Sequence, residues 1–265
     1  MWSVKRCEAV VFLCLCCVSS IFAAETRRPL KVCVDSGNWR PFVYQEDGQV
    51  LGLHIDTISQ ALDKMEVKYQ YIPSPWKRCL KGAEKGVFDA IATASFNKER
   101  AQYLFYPIDA QEQISPSRVG QVQYNIIVHQ TSDFQYEDEL VSIPQPARVS
   151  RDYSIGKDLR SMGFEIDDSS INDLQNLKRL VREKNGSVVA LPTLVDWANK
   201  QAEYAGKIRL IEKPLKSKSY FLVFSKKGKV SVEKAKVIWL HVREAREKNQ
   251  YNVYAPKIKV TDDNG

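Results

Sequence analysis

An α/β protein of two lobes with a cleft between them is the fold class this sequence predicts, and three observations lead there. From Leu30 onward, short apolar runs alternate with stretches whose apolar residues recur at helical spacing. That is the pattern of an open, mostly parallel sheet. The rhythm breaks at 109–123, a polar stretch containing Pro116 and Gly120, and again at the lysine-rich 213–218. Two alternating units joined by two crossovers predict two lobes and a cleft suited to hinge closure on a ligand.

The elements follow in order. Leu30-Lys-Val-Cys-Val34 reads as the first strand. Phe42 to Tyr44 and Val50 to Leu53 flank Asp47-Gly48, a hairpin turn signal. Ile55, Ile58, Leu62 and Met65 form a helical stripe, and Val67 to Ile72 is the next strand. Trp76, Cys79, Leu80 and Ala83 mark a second helix closed by Gly86. Val87 to Ala92 is a strand leading into a loop, and a short helix from Lys98 must stop near Pro107.

Beyond the first crossover, strands are expected at Tyr124 to Val128, Ala147 to Ser150, Phe164 to Ile166, Ser187 to Leu191, Ile208 to Ile211 and Tyr220 to Phe224. Helices are expected around Ile155, Leu159 and Met162, around Leu174 to Val181, around Leu194 to Ala198, and through Trp239, Leu240 and Val242. Gly163 and Asn185-Gly186 stop the first two of these.

The amino terminus is a separate matter. Lys5 and Arg6 precede a short apolar run, Val10 to Val18, and the small residues of Ser19 to Ala24. This is a secretory signal pattern, read as a signal peptide over 1–24 cleaved after Ala23 or Ala24. The apolar run is too short for a transmembrane span. A lipoprotein site at Cys16 or Cys17 is the less favoured alternative, because small residues precede neither. The chain is therefore expected to be exported.

The 265-residue chain less 24 leaves 241 residues, enough for one large core or two smaller ones. Removing Lys5, Arg6 and Glu8 takes the formal charge from +7 to +6, spread along the chain as a solvated face. Export and the lack of any motif argue against nucleic acid. Four of six cysteines leave with the signal, and the remaining pair, Cys33 and Cys79, predicts one disulfide in an oxidising compartment. His54, His129 and His241 stand alone, so neither a metal nor a cofactor is expected.

The run Asp89-Ala-Ile-Ala-Thr-Ala-Ser-Phe-Asn-Lys-Glu-Arg100 carries the chemistry. An apolar strand fixes position, Thr93 and Ser95 offer short donors in a hydroxyl-lined loop, and Arg100 offers a planar fork for a carboxylate. In open sheets, ligands bind beyond the carboxyl ends of strands. This directs attention to Asp35 to Trp39, Pro73 to Trp76, and Thr93 to Arg100. Trp39 and Trp76 provide faces that stack on a flat, apolar or cationic group.

The residues from Cys33-Val-Asp-Ser-Gly-Asn-Trp-Arg-Pro-Phe42, then Gly52 and Asp56, Pro75-Trp76, and Gly86…Asp89-Ala…Glu99-Arg100, resemble the first lobe of family 3 bacterial extracellular solute-binding proteins. That group includes polar amino-acid receptors of ABC transporters. The likeness is strongest over Leu30 to Pro107; in the second lobe, Val149-Ser-Arg-Asp-Tyr-Ser154 and Asn185-Gly186 match best.

The resemblance implies a type II periplasmic-binding-protein fold with two crossover strands, and the periplasm as the location of the exported chain. Lobe 1 is expected over 25–115 and 220–265, and lobe 2 over 116–219. It also implies a ligand site built from Trp39, Trp76, Thr93, Ser95, Arg100, Tyr153 and Ser154, with Trp39 stacking and Arg100 taking a carboxylate. The run from Asp89 to Arg100 is one residue shorter than in familiar amino-acid receptors. Those receptors also hold the ligand's amino group with a second-lobe acid. Here that place falls near Thr193 or Leu194, with Asp196 two residues late.

The expected function is therefore capture of a small polar, carboxylate-bearing ligand, an amino acid or related molecule, without turnover. The expected partners are that ligand and a membrane permease of an ABC transporter, with the chain acting as a monomer. A ligand-sensing accessory to a membrane signalling protein is the alternative. An enzyme on the same fold is a third reading, with Asp35, Asp152 and Asp196 as acids by position.

Overall fold

The computed structural model describes residues 28–37, 39–135 and 143–249. The signal peptide expected over 1–24 lies outside the described residues.

Strand β1 (Leu30–Asp35) opens the sheet. A hairpin of β2 (Tyr44–Glu46) and β3 (Gln49–Leu51) turns at Asp47 and Gly48, whose φ values of 49° and 75° suit the primed turn that Asp-Gly favours. Helix α1 (Leu53–Lys64) buries Ile55, Ile58, Ala61 and Leu62 along one stripe. Strand β4 (Tyr69–Ser74) begins later than its sequence predicts, because Met65, Glu66 and Val67 return their N–H groups to the last carbonyls of α1.

Helix α2 (Trp76–Glu84) ends in the same way. Val87 and Phe88 donate to the Gly82 carbonyl, so β5 starts only at Ala90 and runs to Ser95. Thr93 and Ser95 therefore sit on the end of a fully buried strand, not in a loop as expected. The helix expected from Lys98 is a 3-10 turn at Arg100–Gln102, followed by the short β6 (Leu104–Phe105).

The second unit comprises β7 (Gly120–His129), β8 (Ala147–Arg148), α3 (Ser154–Ser161), β9 (Ile166–Asp167), α4 (Asp173–Glu183), β10 (Ser187–Ala190), α5 (Pro192–Ala198) and β11 (Ile208–Leu210). The chain returns through β12 (Lys216–Ser225) to α6 (Val232–Asn249).

The main sheet runs β4-β1-β5-β12-β7-β10-β8-β9, with β11 on β7 and β6 on β12. β1, β4 and β5 are parallel, so their carboxyl ends share one edge. The two ten-residue strands tie the lobes together. β7 pairs through Gly120 to Tyr124 with β12, then through Asn125 to Ile127 with β10. β12 pairs through Lys216 to Tyr220 with β7, then from Tyr220 onward with β5. The crossovers are thus paired strands, and they overlap only in part with the polar stretches 109–123 and 213–218.

Side-chain alternation along β12 explains its burial on both faces. Leu222 and Phe224 join the large core under α1 and α6, while Phe221 and Val223 join a second core. That second core contains Cys33 and Cys79, which form the expected disulfide. A third core, with Leu177, Leu180, Val188 and Ile208, lies under α4 and α5.

Candidate functional site

Parallel strands deliver the site. Asp35 ends β1, Thr93 and Ser95 lie at the carboxyl end of β5, and Trp76 opens α2 just beyond β4. From the other lobe, Tyr153 caps α3 and Ser154 begins it. All seven residues proposed from sequence (Trp39, Trp76, Thr93, Ser95, Arg100, Tyr153 and Ser154) line one cavity. Asp35, Val43 and Tyr220 complete its wall, and the cavity volume is about 30 Å³.

Arg100 is only 7% exposed. Asn97 positions it, because its side-chain oxygen accepts from the backbone N–H groups of Glu99 (2.9 Å) and Arg100 (3.2 Å). The guanidinium donates to the carbonyls of Ser95 (3.4 Å) and Asp152 (3.0 Å), and lies 5.1 Å from the centre of a Trp76 ring. Five N–H donors leave it capacity for a carboxylate.

Trp39 packs on Tyr220 at 4.8 Å, Phe42 at 5.2 Å and His54 at 5.6 Å between ring centres. Its indole N–H is buried with no protein partner. His54 lies behind it, with both ring nitrogens unpartnered, and burial lowers its pKa to about 3, so the ring is neutral.

Asp35 accepts from the Gly37 N–H (3.1 Å) and the Tyr153 hydroxyl (3.0 Å). Desolvation raises its pKa, opposed by those hydrogen bonds. Asp173 keeps part of its residue surface exposed, yet desolvation of its carboxyl dominates. Its pKa is pushed up to about 6, against the Ser150 hydroxyl bond and with help from the Asp35 charge.

Lys218 of β12 reaches Ser154 Oγ (2.8 Å) and Asp158 Oδ2 (2.5 Å), and burial lowers its pKa. Ser154 meets Ser95 Oγ to Oγ at 2.6 Å.

Sequence reasoning missed Val43 and Tyr220 as wall residues; it marked Asp35 as the start of a ligand-facing loop and as an acid by position, without placing it among the binding residues. Tyr220 was visible as the start of an apolar strand, but its place at the cleft depends on how β12 pairs. The second-lobe positions behave otherwise. Thr193 donates to the Arg40 carbonyl at 3.2 Å, Leu194 packs on the third core, and Asp196 is exposed on α5. None of the three lines the cavity.

Comparison with known proteins places this geometry. A histidine kinase sensor domain with similarity to periplasmic binding proteins superposes with a TM-score of 0.67 at 13% identity, covering 85% of this chain and 93% of its own. The arginine-, lysine-, histidine-binding protein ArtJ of Geobacillus stearothermophilus gives 0.63 at 16% identity, covering 84% and 92%. A mutant of ArgBP from T. maritima gives 0.64 at 15% identity, covering 87% and 95%. At these identities the likeness shows the fold. No curated protein matches the sequence. The family model of bacterial extracellular solute-binding proteins, family 3, matches residues 30–213. The chain belongs to the bacterial extracellular solute-binding proteins, family 3.

Proposed function

We propose that the protein captures a small polar ligand bearing a carboxylate, an amino acid or related molecule, in the cleft between its lobes. The observation that carries this reading is Arg100. It is a buried guanidinium that lines one cavity with the hydroxyl residues Thr93, Ser95 and Ser154 and lies over the Trp76 ring. A carboxylate there gains charge-assisted hydrogen bonds from a guanidinium that is itself largely buried.

Asp35 lies on the same cavity wall and is the natural partner for a cationic group on the same ligand. With no acid near Thr193 in the cavity, Asp35 supports recognition of a positive charge on the ligand. The arginine-, lysine-, histidine-binding neighbour makes the basic amino acids the first molecules to test.

The chemistry proposed is binding, with the proposed lobe limits of 25–115 plus 220–265 and 116–219. The pairing of β12, which leaves β7 for β5 at Tyr220, supports the second limit. Delivery to the permease of an ABC transporter is the proposed use. The superposition on a histidine kinase sensor domain favours one second reading, a sensory accessory of a membrane signalling protein. Genes beside this one separate the two: a permease and ATPase pair, or a sensor kinase. Secretion by a signal peptide over 1–24 is checked by the mass of the mature amino terminus.

The test of ligand class is a thermal-shift screen over amino acids, peptides, organic acids and sugars. A ligand of the folded state raises the melting temperature by mass action. A carboxylated hit is the expected outcome. A hit confined to uncharged sugars, or conversion of a candidate to product seen by mass spectrometry, refutes the proposal.

A further inference from the structure

Three consecutive residues of the second lobe engage the polar residues of the first. The Asp152 carbonyl accepts from Trp76 Nε1 at 3.2 Å and from Arg100 Nη2 at 3.0 Å. The Tyr153 hydroxyl donates to Asp35 Oδ2 at 3.0 Å. The Ser154 hydroxyl meets that of Ser95 at 2.6 Å. One tripeptide thereby touches the ends of β1 and β5, the start of α2 and the Arg100 turn.

We propose that Asp152-Tyr153-Ser154 is an internal stand-in for the ligand, a latch that holds the lobes closed by itself and that the ligand must displace. The chemistry of the contacts matches that of the proposed ligand. A carbonyl oxygen sits on the arginine where a carboxylate would bind, and a phenol donor sits on Asp35 where a cationic group would bind. The proposal rests on the reading of Arg100 and Asp35 as ligand-facing groups.

The local backbone is arranged for this contact. Asp152 has φ of 63°, a left-handed conformation uncommon for a residue with a side chain. Aspartate enters this region more readily than most residues with a side chain. Here Arg151 holds the loop from behind, donating to the Asp168 and Ser169 carbonyls. Lys218 links the latch to the hinge, since it lies in β12 opposite Val122 of β7 and donates to Ser154. Outlying contacts across the cleft, Lys157 with Glu99 and Thr193 with the Arg40 carbonyl, flank the tripeptide.

A neutral carbonyl binds an arginine more weakly than a carboxylate does, so a carboxylated ligand can replace it. The latch then sets affinity. Each closed, latched molecule has to release its own contacts first, so the apparent Kd is the intrinsic Kd divided by the fraction of molecules competent to bind.

The test needs no ligand. Protein stripped of carried-over solute by unfolding in guanidinium and refolding is measured by small-angle X-ray scattering beside two variants. Tyr153→Phe removes only the hydroxyl on Asp35. Asp152→Val places a β-branched residue where φ is positive and so moves the carbonyl. The expected result is a stripped parent whose scattering fits the closed arrangement, with both variants expanded.

An expanded parent overturns the latch, and so does a compact parent whose Tyr153→Phe variant is equally compact. Tyr153→Phe keeps the proposal refutable if Asp152→Val fails to fold. Failure of the binding reading shows elsewhere, as a thermal-shift screen without a carboxylated hit, and leaves the scattering result standing.

Discussion

Removing the Cys33–Cys79 disulfide should lower the melting temperature by about 8–16 °C, and the structure supplies the arithmetic. The two cysteines are 46 residues apart in sequence, with Cα atoms 5.5 Å apart and both side chains fully buried. In the chain-entropy description, closing a loop of this length removes about 13–14 cal/mol/K from the unfolded ensemble, or about 4 kcal/mol at 25 °C. A chain of this size loses about 2–4 °C per kcal/mol.

The perturbation is Cys33→Ala with Cys79→Ala, which keeps both sites apolar within the second core. Thermal unfolding by circular dichroism, with and without reductant, reads the effect. A fall of less than about 2 °C would refute the reasoning, because the unfolded chain would then not be constrained as calculated. The bond also matters to the site. Asp35 follows Cys33 closely in β1, and Trp76 precedes Cys79 in α2, so the bond staples two walls of the cavity.

The other expectations are as follows. Arg100→Ala should weaken binding of the carboxylated hit by about 2–5 kcal/mol, roughly 30-fold to several thousand-fold, by titration calorimetry; an unchanged Kd sinks the assignment. Asp173 holds its proton to about pH 6 when folded, against 3.8 for an unperturbed carboxyl, so the folded state binds more protons between those values and stability falls as pH rises through that window. Asp173→Asn should flatten that slope in denaturation measured from about pH 4 to 6, and an unaltered slope rejects the cause. Gly120→Ala would set a methyl 2.2 Å from His54 Nε2 at the head of β7, costing about 1–3 kcal/mol in urea unfolding, and an unchanged midpoint would show that the hinge yields freely.

Much of the site was legible because carboxyl ends of parallel strands are predictable from rhythm alone. Trp39 follows the first strand, Trp76 the next and Arg100 the third, and the structure brings all three to one cavity. Thr93 and Ser95 were misplaced by one structural level. Val87 and Phe88 look like strand residues, but their N–H groups close α2, which pushes β5 toward the hydroxyls. Tyr220 and Val43 gave no local signal, since a wall residue on a crossover strand is chosen by pairing with distant strands. His54 read as a lone histidine; its neutrality comes from Phe42, Trp39 and Tyr220 packed around it.

By itself the sequence determined the alternation of strands and helices, the turns at Asp47-Gly48 and Asn185-Gly186, and the arginine at the end of the third strand. These follow from near-neighbour chemistry: apolar period, positive-φ residues and the short reach of a side chain. Only the tertiary structure decided which groups face Arg100. Asp152, Tyr153 and Ser154 lie more than fifty residues further along the chain. They meet Arg100, Asp35 and Ser95 because β7 and β12 each pair with both lobes and bring α3 over the strand ends. That pairing is a property of register between distant segments, which no local pattern contains.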